Sequence, residues 1–304
     1  MIEGHISAGQ RRQGREHESR IWDRAVPDAP LFPADSVLRR LASESALMLG
    51  GGRALLLQLA HPLVAAGVAA HSGFRQDPLL RLERTMDLML ALVLGDQQQA
   101  REMLRRFHAA HVPIRGVLAE DAGHYGAGTA YNAADPALRL WVLATLIDTT
   151  LLAYEQFVAP LTAREHEAFY ADSLVFARRM GLGAGVMPPT LAAFRAYMDR
   201  MLHGDALVVN ATTRDLAQAV LHPNVGLVPR TGIRVAGFVA AGLLPPRLRA
   251  AYGLPWDARR QRTLDLLSRT LRTVHPVLPR AIRLMPQAGG SGLVDWAIHS
   301  GRRA

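Results

Sequence analysis

Two residue types are absent from the 304-residue chain. Without cysteine there can be no disulfide, thiolate nucleophile, zinc–cysteine site or iron–sulfur cluster. Without lysine all 35 basic residues are arginine, which excludes Schiff-base chemistry and any lysine ligand to a metal. Aromatic residues are few, 6% of the chain against 49% hydrophobic. The apolar content is rich in alanine and leucine, which favours helix over strand. No stretch sustains the apolar–polar alternation of a half-buried strand, and there is no internal repeat. The G-x-S-x-G, Walker, HExxH and ExxH patterns are all missing. The opening MIEGHISAGQRRQGREHESR has no apolar run behind its charges, so it is not a secretory signal, and a cytoplasmic location is expected.

The charge that is present is uneven. The net +9 lies wholly in residues 205–304, which hold 14 arginines, five aspartates and no glutamate. In residues 1–204, 21 arginines and 21 acidic residues cancel. A basic, proline-punctuated C-terminal region is either a solvated face or a surface for an anionic partner. With no aromatic interleaving and no nucleic-acid motif, an anionic membrane suits it better than nucleic acid. Phe238, Leu243, Leu244 and Trp256 would then be the apolar residues at the interface.

Most segments read as helices with legible ends. FPADSVLRRLASESALMLGGG is capped by Asp35 or Ser36 and is expected to stop in the Gly50–Gly52 run. RALLLQLAHPLVAAGVAAHSG is almost wholly apolar, a buried central helix bent or broken at Pro62. QDPLLRLERTMDLMLALVLGD has Asp77 as cap and Pro78 as its first helical residue. DQQQAREMLRRFHAAHVP ends at Pro113, and a glycine-rich loop leads to a long helix opened by Asp135 and Pro136. Thr162 and Glu165 form a capping box, and helices follow over 189–202 and 213–221. The long helix contains Asp148 and Glu155, which suits a core helix better than a membrane span. The fold class is all-α, with an N-terminal arm (1–34), one helical domain (35–286) and a C-terminal tail (287–304).

Candidate chemistry is confined to arginines and histidines. Arg81, Arg84 and Thr85 share one helical face with Leu88, beside a core face of Leu82, Met86, Met89 and Val93. Two permanent cations at the margin of a core seek anionic partners, which carboxylates of the protein or of a cofactor could supply. On the next helix Leu104, Phe107, His108 and His111 share a face. Spacing alone leaves these as core histidines or metal ligands, although a single histidine suffices for haem, whose porphyrin supplies four ligands. His61 and His71 lie in the most apolar part of the chain, where a buried imidazole needs a partner, and His124 is on the glycine-rich loop.

The succession GGGRALLLQLAHPLVAAGVAAHS, DPLLRLERT, HVPIRG and AYGLPW, running from about residue 35 to about 286, resembles one family. It is the family of the catalytic domain of bacterial rubber oxygenase (latex-clearing protein) and of the MpaB-type membrane-associated oxygenases. The resemblance implies an all-α fold around haem b, with one histidine as proximal ligand and an R-x-x-K-T motif beside the haem. That motif reads Arg81, Leu82, Glu83, Arg84, Thr85 here, and the ligand position matches His111 in HVPIRG, with His108 the alternative. By the same resemblance Arg84 and Thr85 polarise dioxygen, while Arg81, Thr85 and His61 lie against the cofactor.

Two positions depart from the family's pattern. Arg84 replaces a lysine that can occupy the distal iron position, and a guanidinium has no lone pair to offer. A glutamate proposed as base upstream of the motif is missing, because Asp77 is the one acidic residue between Ser45 and Leu80. The resemblance therefore implies a haem b-dependent oxygenase for a hydrophobic, isoprenoid- or lipid-like substrate. The alternative is a haem- or lipid-binding carrier or sensor without turnover.

Overall fold

The computed structural model describes residues 29–71, 78–222 and 230–285, with backbone alone for 78–84, 86, 230 and 231. Among them are thirteen α-helices and one pair of short strands, the all-α architecture expected from composition. The arm before Ala29, the cap at Asp77 and the whole tail (287–304) lie outside the described residues.

Helix α1 (Val37–Ala42) begins where the Ser36 hydroxyl oxygen accepts the Arg39 amide hydrogen. The same hydroxyl donates to Asp172 (2.8 Å), which also accepts the Leu38 amide (3.1 Å). One serine thus caps the helix and docks it. A 3-10 turn (Ser45–Gly50) then runs directly into α2 (Gly51–Leu59), so the helix does not stop in the glycine run. The glycines serve close packing instead. A Cβ on Gly50 would stand 2.8 Å from Thr149 Cγ2, and one on Gly52 would stand 2.7 Å from Ala240 Cβ. Gly52→Ala should therefore destabilise the fold by about 1–2 kcal/mol, overpacking outweighing a helix-propensity gain of up to ~1 kcal/mol. An unchanged or higher urea midpoint in the variant would refute this.

α3 (Pro62–His71) leaves the preceding helical segment at 102°. Proline, lacking an N–H, is tolerated at the first position of the new helix, which makes Ala60–His61 the corner. α4 (Pro78–Val93) and α5 (Gln97–His111) pack against each other as a hairpin. Asp96 and Gln99 form the capping box that starts the second arm (2.8 and 3.3 Å). The glycine-rich stretch after α5 holds two three-residue antiparallel strands, β1 (Arg115–Val117) and β2 (Ala130–Asn132), with Gly116 opposite Tyr131. Three residues are too few to show a period of two, so no strand was legible there.

α6 (Pro136–Phe157) is the axis of the core, with Trp141, Ala144, Ala153 and Phe157 fully buried. By length and composition it could cross a membrane. It is packed against α2 and the 3-10 turn. Then come α7 (Ala163–Arg179), opened by the Thr162/Glu165 box, α8 (Leu191–His203) and α9 (Ala211–Leu221). The C-terminal region forms α10 (Arg230–Leu243), α11 (Pro246–Ala251), α12 (Ala258–Val274) and α13 (Arg280–Arg283).

Of the four apolar residues singled out in the basic region, two are buried and two are half-buried. Leu243 and Leu244 are buried, Phe238 stacks on Trp256 (5.2 Å), and the Arg249 guanidinium lies 4.5 Å over the same indole. Phe238 and Trp256 are half-buried and pack against the cluster formed by α6, α10 and α12.

One buried cation links three of these helices. Arg53, 4% exposed, donates from Nε to the Leu243 carbonyl (2.9 Å), from Nη1 to Thr149 (2.6 Å) and from Nη2 to Asp148 (2.7 Å). One of the two acidic residues that set α6 apart from a membrane span is thus the partner of an arginine in the apolar α2.

Candidate functional site

The α4–α5 hairpin brings the two sequence motifs to one end. Arg84 stands 11 residues before Gly95 and His108 stands 13 after it. Two antiparallel arms joined at a short turn place such positions side by side, so Arg81, Arg84 and Thr85 share the open end with His108 and His111. The arginine side chains lie outside the described residues. The Thr85 side chain is half-buried and engaged with a neighbour.

The expected apolar face of α5 is present, with Leu104 buried and Phe107, His108 and His111 half-buried. The two histidines then differ. His111 Nδ1 lies 2.8 Å from the Phe107 carbonyl, and its ring packs on the Phe107 ring at 4.0 Å between centroids. A carbonyl only accepts, so Nδ1 carries the hydrogen and Nε2 holds the lone pair. This is the tautomer and the backbone anchoring that a metal-ligating imidazole uses. His108 Nε2 faces the Met180 carbonyl at 3.3 Å, and the Arg139 guanidinium donates to that same oxygen. His108 is thus tied to the C-terminal end of α7.

His61 is not brought to this end. It sits at the corner before α3, whereas the chain leaving α5 passes the middle and far end of that helix. There Ile114 lies 3.5 Å from a Cβ built on Gly67, and His71 Nε2 meets the Arg115 carbonyl at 3.0 Å. The ten residues of α3 put His61 roughly 15 Å from the His71–Arg115 contact. His71 is exposed, so its apolar sequence surroundings gave the wrong expectation for its burial.

His61 is buried, at 5% exposure, and has its own setting. Tyr125 OH approaches Nε2 at 3.4 Å, and Nδ1 has no hydrogen-bond partner among the described residues. Tyr125 was not legible in the sequence, since nothing in GHYG points to a histidine 64 positions away. Burial pushes the His61 imidazole down to about 4, with the neighbouring His124 adding to the effect and Asp135 opposing it. Below pH 6.5 the unfolded chain therefore binds a proton that the folded chain refuses. Folding stability falls as pH drops from about 6.5 towards 4, by at most roughly 3 kcal/mol from this group. Urea midpoints across that range should fall more steeply for the wild type than for His61→Gln, and parallel slopes would refute the assignment.

No group of three or more His, Asp or Glu side chains able to hold a bare metal ion occurs among the described residues. A single defined histidine is the one protein ligand a porphyrin-bound iron requires.

Comparison with known proteins adds to this geometry. The family model of the ER-bound oxygenase mpaB/B'/rubber oxygenase catalytic domain matches residues 38–273. Two curated relatives, uncharacterized protein Mb2261 of Mycobacterium bovis and uncharacterized protein Rv2237 of Mycobacterium tuberculosis, are each 29% identical over 233 residues. The matches cover 74% of this chain and 87% of each relative. No solved structure matches the chain.

Proposed function

The chain belongs to the family of the mpaB/rubber oxygenase catalytic domain, and from that premise we propose that it is a haem b-dependent oxygenase that uses dioxygen on a hydrophobic, isoprenoid- or lipid-like substrate. The observation that carries the haem assignment is the His111 imidazole, held through Nδ1–H by the Phe107 carbonyl at the hairpin end that also carries Arg81 and Arg84. The bound haem would supply the activation of dioxygen for insertion at an alkene or activated C–H bond.

The chain's own residues have separable tasks in this reading. His111 binds through Nε2, and its backbone anchor fixes the ring plane and keeps the hydrogen on the far nitrogen. Arg81 pairs with a propionate. Arg84, permanently protonated, cannot ligate iron, and with Thr85 it would serve as a hydrogen-bond donor to dioxygen. The apolar α3 offers a surface for a substrate that water does not hold.

A second reading is a haem-binding carrier or sensor, favoured by Arg84 in the lysine position and by the missing upstream carboxylate. The test is a hemin titration of the purified protein followed by absorption, then oxygen uptake with a reductant and a prenylated substrate. A saturable Soret band with oxygen uptake supports the oxygenase, and the band without uptake supports the carrier. Failure to take up hemin would overturn both.

A further inference from the structure

A cavity of about 540 Å³ lies at the turn end of the α4–α5 hairpin, with Leu94 in its wall. His111 is at the opposite end of the 15-residue α5, roughly 22 Å away along the helix. The volume falls within the roughly 300–1,000 Å³ typical of small-ligand sites. Its outer wall is the segment 275–285, which lies beyond the family match.

That wall is anchored. The Met285 amide donates to the Ser43 carbonyl (2.7 Å), and Ser45 Oγ donates to the Ile282 carbonyl (2.6 Å). Glu44 meets His275 Nε2 at 2.8 Å, with both side chains 10% exposed. The cavity is therefore a built part of the fold.

Its charge is unbalanced. Four arginines and a single carboxylate line it. Glu44 is engaged with His275, Arg40 pairs with Glu165, and Arg39 donates to the Phe32 and Val93 carbonyls (3.2 and 3.4 Å). Arg280 and Arg283 have no partner among the described residues, and Arg283 Nε is fully buried. A guanidinium left without an acceptor favours an incoming anion. The Tyr154 phenol lines the same cavity, and burial foremost pushes its ionisation up, so it stays a hydroxyl able to donate. Leu94, Val158 and Met285 supply apolar wall.

We propose that this cavity binds an amphiphilic anion, a carboxylate or phosphate head on a medium-length alkyl chain. The terminal nitrogens of Arg283 grip the head, the fork geometry that suits two oxygens of one anion. Arg280 adds charge from the rim, Tyr154 donates a further hydrogen bond, and the apolar wall receives the chain. The site stands apart from the hairpin end assigned above, and its test does not depend on haem.

The experiment is a calorimetric titration of the full chain with octanoate, octyl phosphate, octanol and inorganic phosphate. One-site binding of octanoate or octyl phosphate is expected, at least about 10-fold tighter than octanol or inorganic phosphate. The tighter of the two amphiphiles identifies the head as carboxylate or phosphate. Arg283→Gln should weaken that binding about 10-fold or more. Arg280→Gln, at an exposed position that leaves folding unaffected, should weaken it several-fold, while Arg269→Gln on the outer face of α12 leaves it unchanged. Absence of saturable binding by both amphiphiles would overturn the proposal. So would unchanged affinity in both cavity variants, equal weakening by Arg269→Gln, or inorganic phosphate binding as tightly as octyl phosphate.

Discussion

Replacing His111 with alanine is expected to weaken hemin binding by at least about 100-fold and to collapse the Soret band, while His108→Ala retains both. The contrast rests on the two backbone carbonyls. Phe107 holds the His111 Nδ1–H at 2.8 Å within one helix turn, leaving the lone pair on the other nitrogen. His108 directs Nε2 at the Met180 carbonyl, an oxygen it shares with Arg139, so it serves the packing of α5 on α7. Loss of an outer-shell partner alone typically costs 10–100-fold in metal affinity, and loss of the ligand costs more. Free imidazole should restore the band in His111→Ala by entering the vacated space, whereas a folding defect would not respond to it. A band retained in His111→Ala and lost in His108→Ala would exchange the two assignments. Retention in both would remove the hairpin end as the haem site.

Arg53→Met should lower folding stability by about 3–5 kcal/mol, because it leaves a carboxylate without its cation in a partly buried setting. The guanidinium satisfies the Leu243 carbonyl, the Thr149 hydroxyl and the Asp148 carboxylate at once, and methionine satisfies none of them. At roughly 2–4 °C per kcal/mol for a chain of this size, the melting temperature should fall by about 6–20 °C. Arg53→Lys should rescue only part of this, since one ammonium cannot reproduce a planar fork towards three acceptors. Adding Asp148→Asn to Arg53→Met should recover stability by removing the stranded charge. A loss below about 1 kcal/mol in Arg53→Met would show that water takes over the three acceptors.

Much of the fold was legible because helix ends are encoded within a few residues. Ser36, Asp135 with Pro136, and Thr162 with Glu165 each open the helix that the sequence assigned to them, while the Asp96/Gln99 box was not read there. The break at Pro62 was local for the same reason, and the ordered succession of motifs placed the chain in its family. The glycine run was misread because the local signal for a helix stop is also what two closely packed helices require. Only the partner helix distinguishes the two.

The candidate site divides along the same line. The sequence by itself determined which groups are available: arginines where a lysine would allow iron ligation, two histidines on one face of α5, and no thiolate anywhere. The tertiary structure decided what each group meets. It tied His108 to α7, buried His61 beside Tyr125 and left His71 exposed. It paired Arg53 with groups 95 to 190 positions away and buried Leu243 and Leu244 of the basic C-terminal region. Caps and breaks depend on hydrogen bonds spanning about four residues, which a linear pattern records. Burial and pairing depend on which helix faces arrive together in space, and the chain's local periodicity does not specify that.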